Sequence, residues 1–220
     1  MNRDNSTFYN VQTEVRETNT KVAISNHPVP YYLQEMHTLD GMKVTIRLIT
    51  CNDKNQLREF HAHLSEETRY LRYQYFKGDL TESDLDTFCH VDYFNALGLV
   101  AEAEKDGQKN IIGVGRYVRL NDPQIAEMAF VVQDSEQRKG IGTQLLRHLS
   151  ILAWERGIRY FIGELLRENG RMINILRKYD PEMNQLTEGS GCTITLNVED
   201  AKENTPAAWN ASTCFIKPPK

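Results

Sequence analysis

Polar and apolar residues alternate along Lys43-Val44-Thr45-Ile46-Arg47-Leu48-Ile49, which puts Val44, Ile46 and Leu48 on one face and predicts a half-buried strand. Asn52 or Asp53 can then cap a helix that carries Leu57, Phe60 and Leu64. Ser65-Glu66-Glu67-Thr68 opens a second helix bearing the aromatic cluster Tyr70, Tyr73, Tyr75 and Phe76, and a short acidic helix is predicted from Glu82 to Phe88. Three strands follow, Ala96 to Glu104, Asn110 to Leu120 and Ile125 to Val132. Asp106-Gly107 is a hairpin signal and Asn121-Asp122-Pro123 a turn, so the three are expected to run antiparallel. The best helical pattern is Ile141 to Arg156, where Leu145, Leu146, Leu149, Leu152 and Ala153 share a face and Gly157 is the stop. Tyr160 to Leu166 reads as a strand, Asn169 to Tyr179 as a helix broken by Pro181, and Thr193 to Val198 as a last strand.

This order, a meander leading into β-α-β-α-β, predicts an α/β (α+β) domain. Its sheet is mixed and mostly antiparallel, with helices on both faces. The pattern is confined to residues 41–198. Residues 1–40 are rich in Asn, Thr and Glu and end in Asn26-His27-Pro28-Val29-Pro30, so they are expected to form a flexible arm, and residues 199–220 a C-terminal tail.

Composition narrows the picture. With 220 residues, 40% hydrophobic and 25% charged, one core-bearing domain fits and wholesale disorder does not. A net charge of −4 argues against nucleic acid or an anionic membrane as partner, and no apolar run of about eighteen residues predicts a span. The N-terminus lacks a signal-peptide core, so a cytoplasmic location is expected. Cys51, Cys89, Cys192 and Cys214 form no CxxC pair and are read as free thiols. His61 and His63 point to different sides of a helix, so no metal site is expected.

Candidate chemistry sits in Gln133 to Thr143, between an apolar strand and the amphipathic helix. Gly140 and Gly142 allow close backbone approach, the helix N-terminus offers free N–H groups, and Arg138 and Lys139 add positive charge. Together they suit a phosphate or pyrophosphate. A P-loop is absent, and Leu145 replaces the third glycine of GxGxxG.

Gln137-Arg138-Lys139-Gly140-Ile141-Gly142 resembles the Q/R-x-x-G-x-G/A signature of the GNAT superfamily of acetyl-CoA-dependent N-acetyltransferases, and Ala126 to Val132 resembles its fourth strand. Phe60 to Tyr73 is similar to the "LSxESRYLRFF" stretch of the GNAT domain in bacterial protein lysine acetyltransferases, which modify AMP-forming acyl-CoA synthetases. The resemblance implies the GNAT fold, acetyl-CoA as co-substrate without a metal, and a protein substrate such as an AMP-forming acyl-CoA synthetase. It further implies that Phe130, Val131 and Val132 face the acyl chain, and that Gln137, Arg138, Lys139, Gly140, Ile141, Gly142 and Thr143 hold the CoA phosphates.

Transfer requires a neutral amine. A lysine with a pKa near 10.4 pays roughly 4–5 kcal/mol to be neutral at pH 7, so a base is wanted. Glu127 is the carboxylate of the strand before the loop, on the face of Ala129 and Val131; by the resemblance it is the general base, and by itself it could equally be a solvated edge charge. Asn169 can contact pantetheine or cap its helix. Leu176 stands where many relatives carry a tyrosine acid, and a CoA thiol can leave as thiolate without one. The alternatives are an N-acetyltransferase for a small amine and a non-catalytic acyl-CoA-binding sensor.

Overall fold

The structure is a computed structural model that describes residues 32–198 apart from position 106. Its elements, in chain order, are β1 (Leu33–His37), β2 (Lys43–Leu48), α1 (Lys54–Ala62), α2 (Glu66–Tyr73), α3 (Glu82–Cys89), β3 (Ala96–Lys105), β4 (Gln108–Arg119), β5 (Ile125–Val132), α4 (Ile141–Glu155), β6 (Tyr160–Leu166), α5 (Gly170–Tyr179), β7 (Asn184–Glu188) and β8 (Gly191–Asn197). The strands form one eight-stranded sheet in the order β1-β2-β3-β4-β5-β6-β8-β7. Every pairing is antiparallel except β5 with β6.

The expected mixed sheet with helices on both faces is what forms. On one face Val44, Ile46, Leu97, Leu99, Met128 and Phe130 pack against α4 and α5. Leu145, Leu146, Leu149 and Leu152 of α4 are buried there, and each such side chain contributes ~2 kcal/mol, more than any helix cap. The other face carries a second core, in which Ile49, Val100 and Ile111 meet Leu57 and Phe60 of α1 and Leu85 of α3. Gly115 is required where it stands. Its register partner is Phe130, and a Cβ at Gly115 would come within 2.8 Å of that ring, so only glycine lets the ring lie flat on β4.

Two strands depart from the sequence reading. β1 lies inside the stretch expected to be a flexible arm, yet it pairs with β2 from Leu33↔Arg47 to His37↔Lys43 and buries Met36. Backbone pairing and one buried side chain hold it, with too little alternation to announce it. β7 is likewise unannounced: a polar edge strand with Leu186 exposed. The expectations for residues 1–31, for the 199–220 tail and for Cys214 lie outside the described residues. Among the described cysteines Cys51 is exposed, while Cys89 and Cys192 are buried free thiols.

Candidate active site

β5 and β6 are parallel neighbours only at Ile125↔Tyr160, Ala126↔Phe161 and Glu127↔Ile162. Beyond that point β5 stays with β4 and β6 with β8, so the sheet forks and the backbone of 128–132 has one edge without a strand partner. Glu127 stands at the fork, exposed, while its neighbours Ala126 and Met128 are buried on the opposite face. Glu164, two residues past Ile162 on β6, shares that face. Its carboxyl is pushed above the ordinary carboxylate range by burial and by the charge of Glu127, so the two carboxylates sense one another.

The fork leads to the loop before α4. Gly140 is the N-cap of α4 in the left-handed region (φ 90°) and has no side chain to occupy the first-turn donors. The N–H of Gln144 bonds to Gly140 O at 3.1 Å, so those of Ile141, Gly142 and Thr143 are the donors the helix leaves over. By contrast Ser65, Thr81 and Asn169 cap α2, α3 and α5 with side-chain oxygens. Arg138, also left-handed (φ 65°), is exposed and makes no ion pair among the described residues. Free amides, a dipole end and a guanidinium with no ion pair among the described residues are groups that suit an anion.

The rest of the loop is tied down. Asp134 accepts from Ser65 N (2.9 Å), Ser65 Oγ (2.7 Å) and Thr68 Oγ1 (2.6 Å), which fastens the loop to the start of α2. Gln137 donates to Val132 O (3.1 Å) and accepts from Arg171 Nη1 (2.9 Å). Lys139 is held by Asp40 (2.9 Å) and Glu136 (3.0 Å), and Leu39 N donates to Lys139 O. Thr38 and Lys139 in turn hold the Asp40 carboxyl down at about 2.

Thus Gly140, Ile141, Gly142, Thr143 and Arg138 gather at one helix end, whereas the Gln137 and Lys139 side chains serve as struts. Asn169 takes the capping alternative, its Oδ1 accepting from Met172 N at 3.2 Å. Phe130, Val131 and Val132 border the open backbone edge of β5, and their side chains divide between its two faces. Strand alternation splits them: Phe130 is in the α4-side core and Val132 packs against that same core. Of the three, Val131 alone has its side chain on the Glu127 face. Tyr179 is a core aromatic.

On that face lies a small cleft between α1, α2 and the sheet. Ala129 and Val131 form its floor, beside Arg116 of β4, while His61 and Arg72 come from the helices. The sequence reading weighed His61 only as a metal ligand and did not bring Arg72 and Arg116 together. Glu164 was also missed, although it is the lone carboxylate of an otherwise apolar strand, the signal that singled out Glu127. No group of three or more His, Cys, Asp or Glu among the described residues could hold a metal, and none of their helices is long and apolar enough to cross a membrane.

Residues 57–179 match the model of the acetyltransferase (GNAT) family. The chain is 32% identical over 123 residues to acetyltransferase PA5475 of Pseudomonas aeruginosa, a match spanning 54% of this chain and 64% of that protein. The GNAT domain of S. lividans PAT superposes with a TM-score of 0.67 at 30% identity, covering 75% of this chain and 96% of that one. The yncA structure from Salmonella typhimurium, solved with its cofactor acetyl-CoA, shares the fold: TM-score 0.57, 18% identity, 76% of this chain and 98% of that one.

Proposed function

The chain belongs to the GNAT family of acetyltransferases, which use acetyl-CoA as co-substrate, and from that premise we propose that it acetylates a lysine side chain of a protein by direct transfer within a ternary complex. The observation that carries this reading is the position of Glu127, an exposed carboxylate at the point where β5 and β6 part. The likeness to the GNAT domain of S. lividans PAT, and the resemblance of Phe60 to Tyr73 to bacterial protein lysine acetyltransferases, support a protein substrate. The match spans 64% of the curated relative's length, so the comparison speaks for the acetyltransferase domain.

Acetyl-CoA supplies an acetyl thioester. In the proposed reaction the amine nitrogen bonds to the thioester carbon, the C–S bond breaks, and the sulfur leaves as thiolate. The α4 N-terminal amides and Arg138 hold the phosphates, and the open edge of β5 aligns the arm that ends in the thioester. Glu127 takes the amine proton, directly or through water. Glu164 beside it adds negative charge that draws in an ammonium. The setting is open to solvent, so a lysine on a protein surface can reach it.

The test is incubation with labelled acetyl-CoA and an AMP-forming acyl-CoA synthetase, with a panel of small amines in parallel, followed by mass spectrometry. Label on a lysine of the synthetase is the expected result. Label on small amines alone would make this a metabolite N-acetyltransferase; CoA binding with no label anywhere would make it a sensor.

A further inference from the structure

The cleft on the Glu127 face has a chemical character that transfer of a plain acetyl group does not use. Its walls include Leu57, Phe60, Leu64 and Phe88, all apolar, yet three cationic or proton-carrying groups come together inside it. Arg116 is half-buried over the ring of Phe88, with its guanidinium carbon 4.6 Å from the ring centre. Arg72 lies 5.1 Å over the ring of Tyr73. Neither guanidinium makes a hydrogen bond or salt bridge to a described residue. His61 is 2% exposed, and its Nε2 is buried with no hydrogen-bond partner.

Cations brought together in apolar surroundings are costly unless an anion meets them, and among the described residues no carboxylate does so at contact distance. The strain registers on Arg116, whose pKa is pushed down to about 10 by burial and by the Arg72 cation. Glu127 is the acid on the same sheet face, and it reaches Arg116 only as a distant charge. The neighbouring cations Arg69 and Lys77 join burial in keeping His61 neutral, so its free nitrogen is able to donate a hydrogen bond.

We infer that this cleft is a carboxylate subsite, in which Arg72, Arg116 and His61 receive a carboxylate carried by one of the two reactants. The cleft floor is Ala129 and Val131, on the strand whose open edge meets the thioester in the function proposed above, on which this inference rests. Two sources deliver that group to the same place. One is an acyl-CoA whose chain ends in a carboxylate, such as succinyl-CoA; the other is an acceptor whose amine has a carboxylate close by. Planar guanidinium groups pair with carboxylate oxygens in two-point fashion, and the apolar walls strengthen the pairing by excluding water. With succinyl-CoA the transfer keeps the same balance: the amide N–C bond forms, the C–S bond breaks, and CoA leaves as thiolate.

Two arms separate the sources, both with the full chain. In the first, calorimetry compares succinyl-CoA with butyryl-CoA, and acetyl-CoA is the reference. In the second, kcat/KM with acetyl-CoA compares lysine with lysinamide. The expected result is a preference of at least roughly tenfold for the carboxylate in one arm, the scale of a charge-assisted hydrogen bond. In that arm Arg116→Met and Arg72→Met should each bring the ratio close to one, and Arg116→Lys should keep part of it, which separates lost recognition from lost folding. Acetyl-CoA binding with no carboxylate preference in either arm overturns this inference alone. Failure to bind any CoA ester counts against the proposed transfer reaction and takes this inference with it.

Discussion

Glu127 of β5 lies opposite Ile162 of β6, and this is the last pair the two parallel strands make. One step further the strands have parted, so the carboxylate sits where the backbone edge of β5 becomes free. A side chain on the Glu127 face here borders both the opened edge and the cleft floored by Ala129 and Val131. Two reactants arriving from those two directions would meet at Glu127.

Glu127→Gln should therefore lower kcat at pH 7 by about 10²–10⁴-fold while acetyl-CoA affinity, read by calorimetry, holds. The variant's rate should then climb with pH toward the amine pKa near 10.4, because hydroxide and solvent take over the proton. An unchanged kcat at neutral pH would rule Glu127 out as the base.

Asp134 fixes the distance between the anion loop and α2 through Ser65 and Thr68, and its charge faces the first turn of that helix. Burial disfavours the ionised form, but the Ser65 and Thr68 donors outweigh it and hold the carboxyl below its ordinary range. Asp134→Ala removes all three bonds. Thermal melts should show a loss of about 1 kcal/mol, and the Kd for acetyl-CoA should rise roughly tenfold as the loop loosens. A Kd equal to that of the parent would mean that Gln137 and Lys139 position the loop without it.

What was readable in the sequence follows from range. α4 could be read because Leu145, Leu149 and Leu152 repeat at helical spacing, and β5 because apolar residues continue to Val132. Gly140 and Gly142 declared the anion loop for the same local reason. β1 and β7 were hidden because edge pairing needs only backbone groups, and neither Leu33–His37 nor Asn184–Glu188 carries an apolar alternation. The cleft was hidden for another reason. Arg72 and Arg116 are 44 residues apart (116 − 72), and nothing local in either segment says that a helix will lay one beside the other. The motif position of Phe130 says nothing of its ring, which strand alternation sends to the core.

Arg47 is the centre of a largely buried triad. It donates to both Asp53 oxygens (2.8 and 2.7 Å) and to Glu102, and both acids have side chains only 8% exposed. Arg47→Met strands two carboxylates away from water and should cost on the order of 3–5 kcal/mol in denaturant unfolding. Burial works against the Asp53 carboxylate, but Arg47 and Thr50 outweigh it and lower its pKa. The folded state thus holds Asp53 ionised below the pH at which the unfolded chain protonates it. That contribution is complete above about pH 4 and is lost as the pH falls further. In the Met variant this acid-side slope should disappear; a loss below 1 kcal/mol would show that water already reaches the pair.

His148 on α4 is 1% exposed and hydrogen-bonds through Nδ1 to the hydroxyl of Tyr32, in the segment just before β1. Burial, with some help from the charge of Arg147, pushes its pKa down to about 4. The folded value lies below that of the unfolded chain, near 6.5, so the unfolded state binds the proton first. Stability from this group is complete above pH 6.5 and is lost as the pH falls toward 4. At about 1.4 kcal/mol per unit, roughly 3 kcal/mol is involved over that window. His148→Gln keeps a polar partner for Tyr32 and does not titrate. Its unfolding free energy, measured in urea from pH 7 down to pH 4, should therefore fall much less steeply than that of the parent. The same slope in both proteins would place the acid sensitivity elsewhere and leave the Tyr32–His148 bond a purely structural tie between β1 and α4.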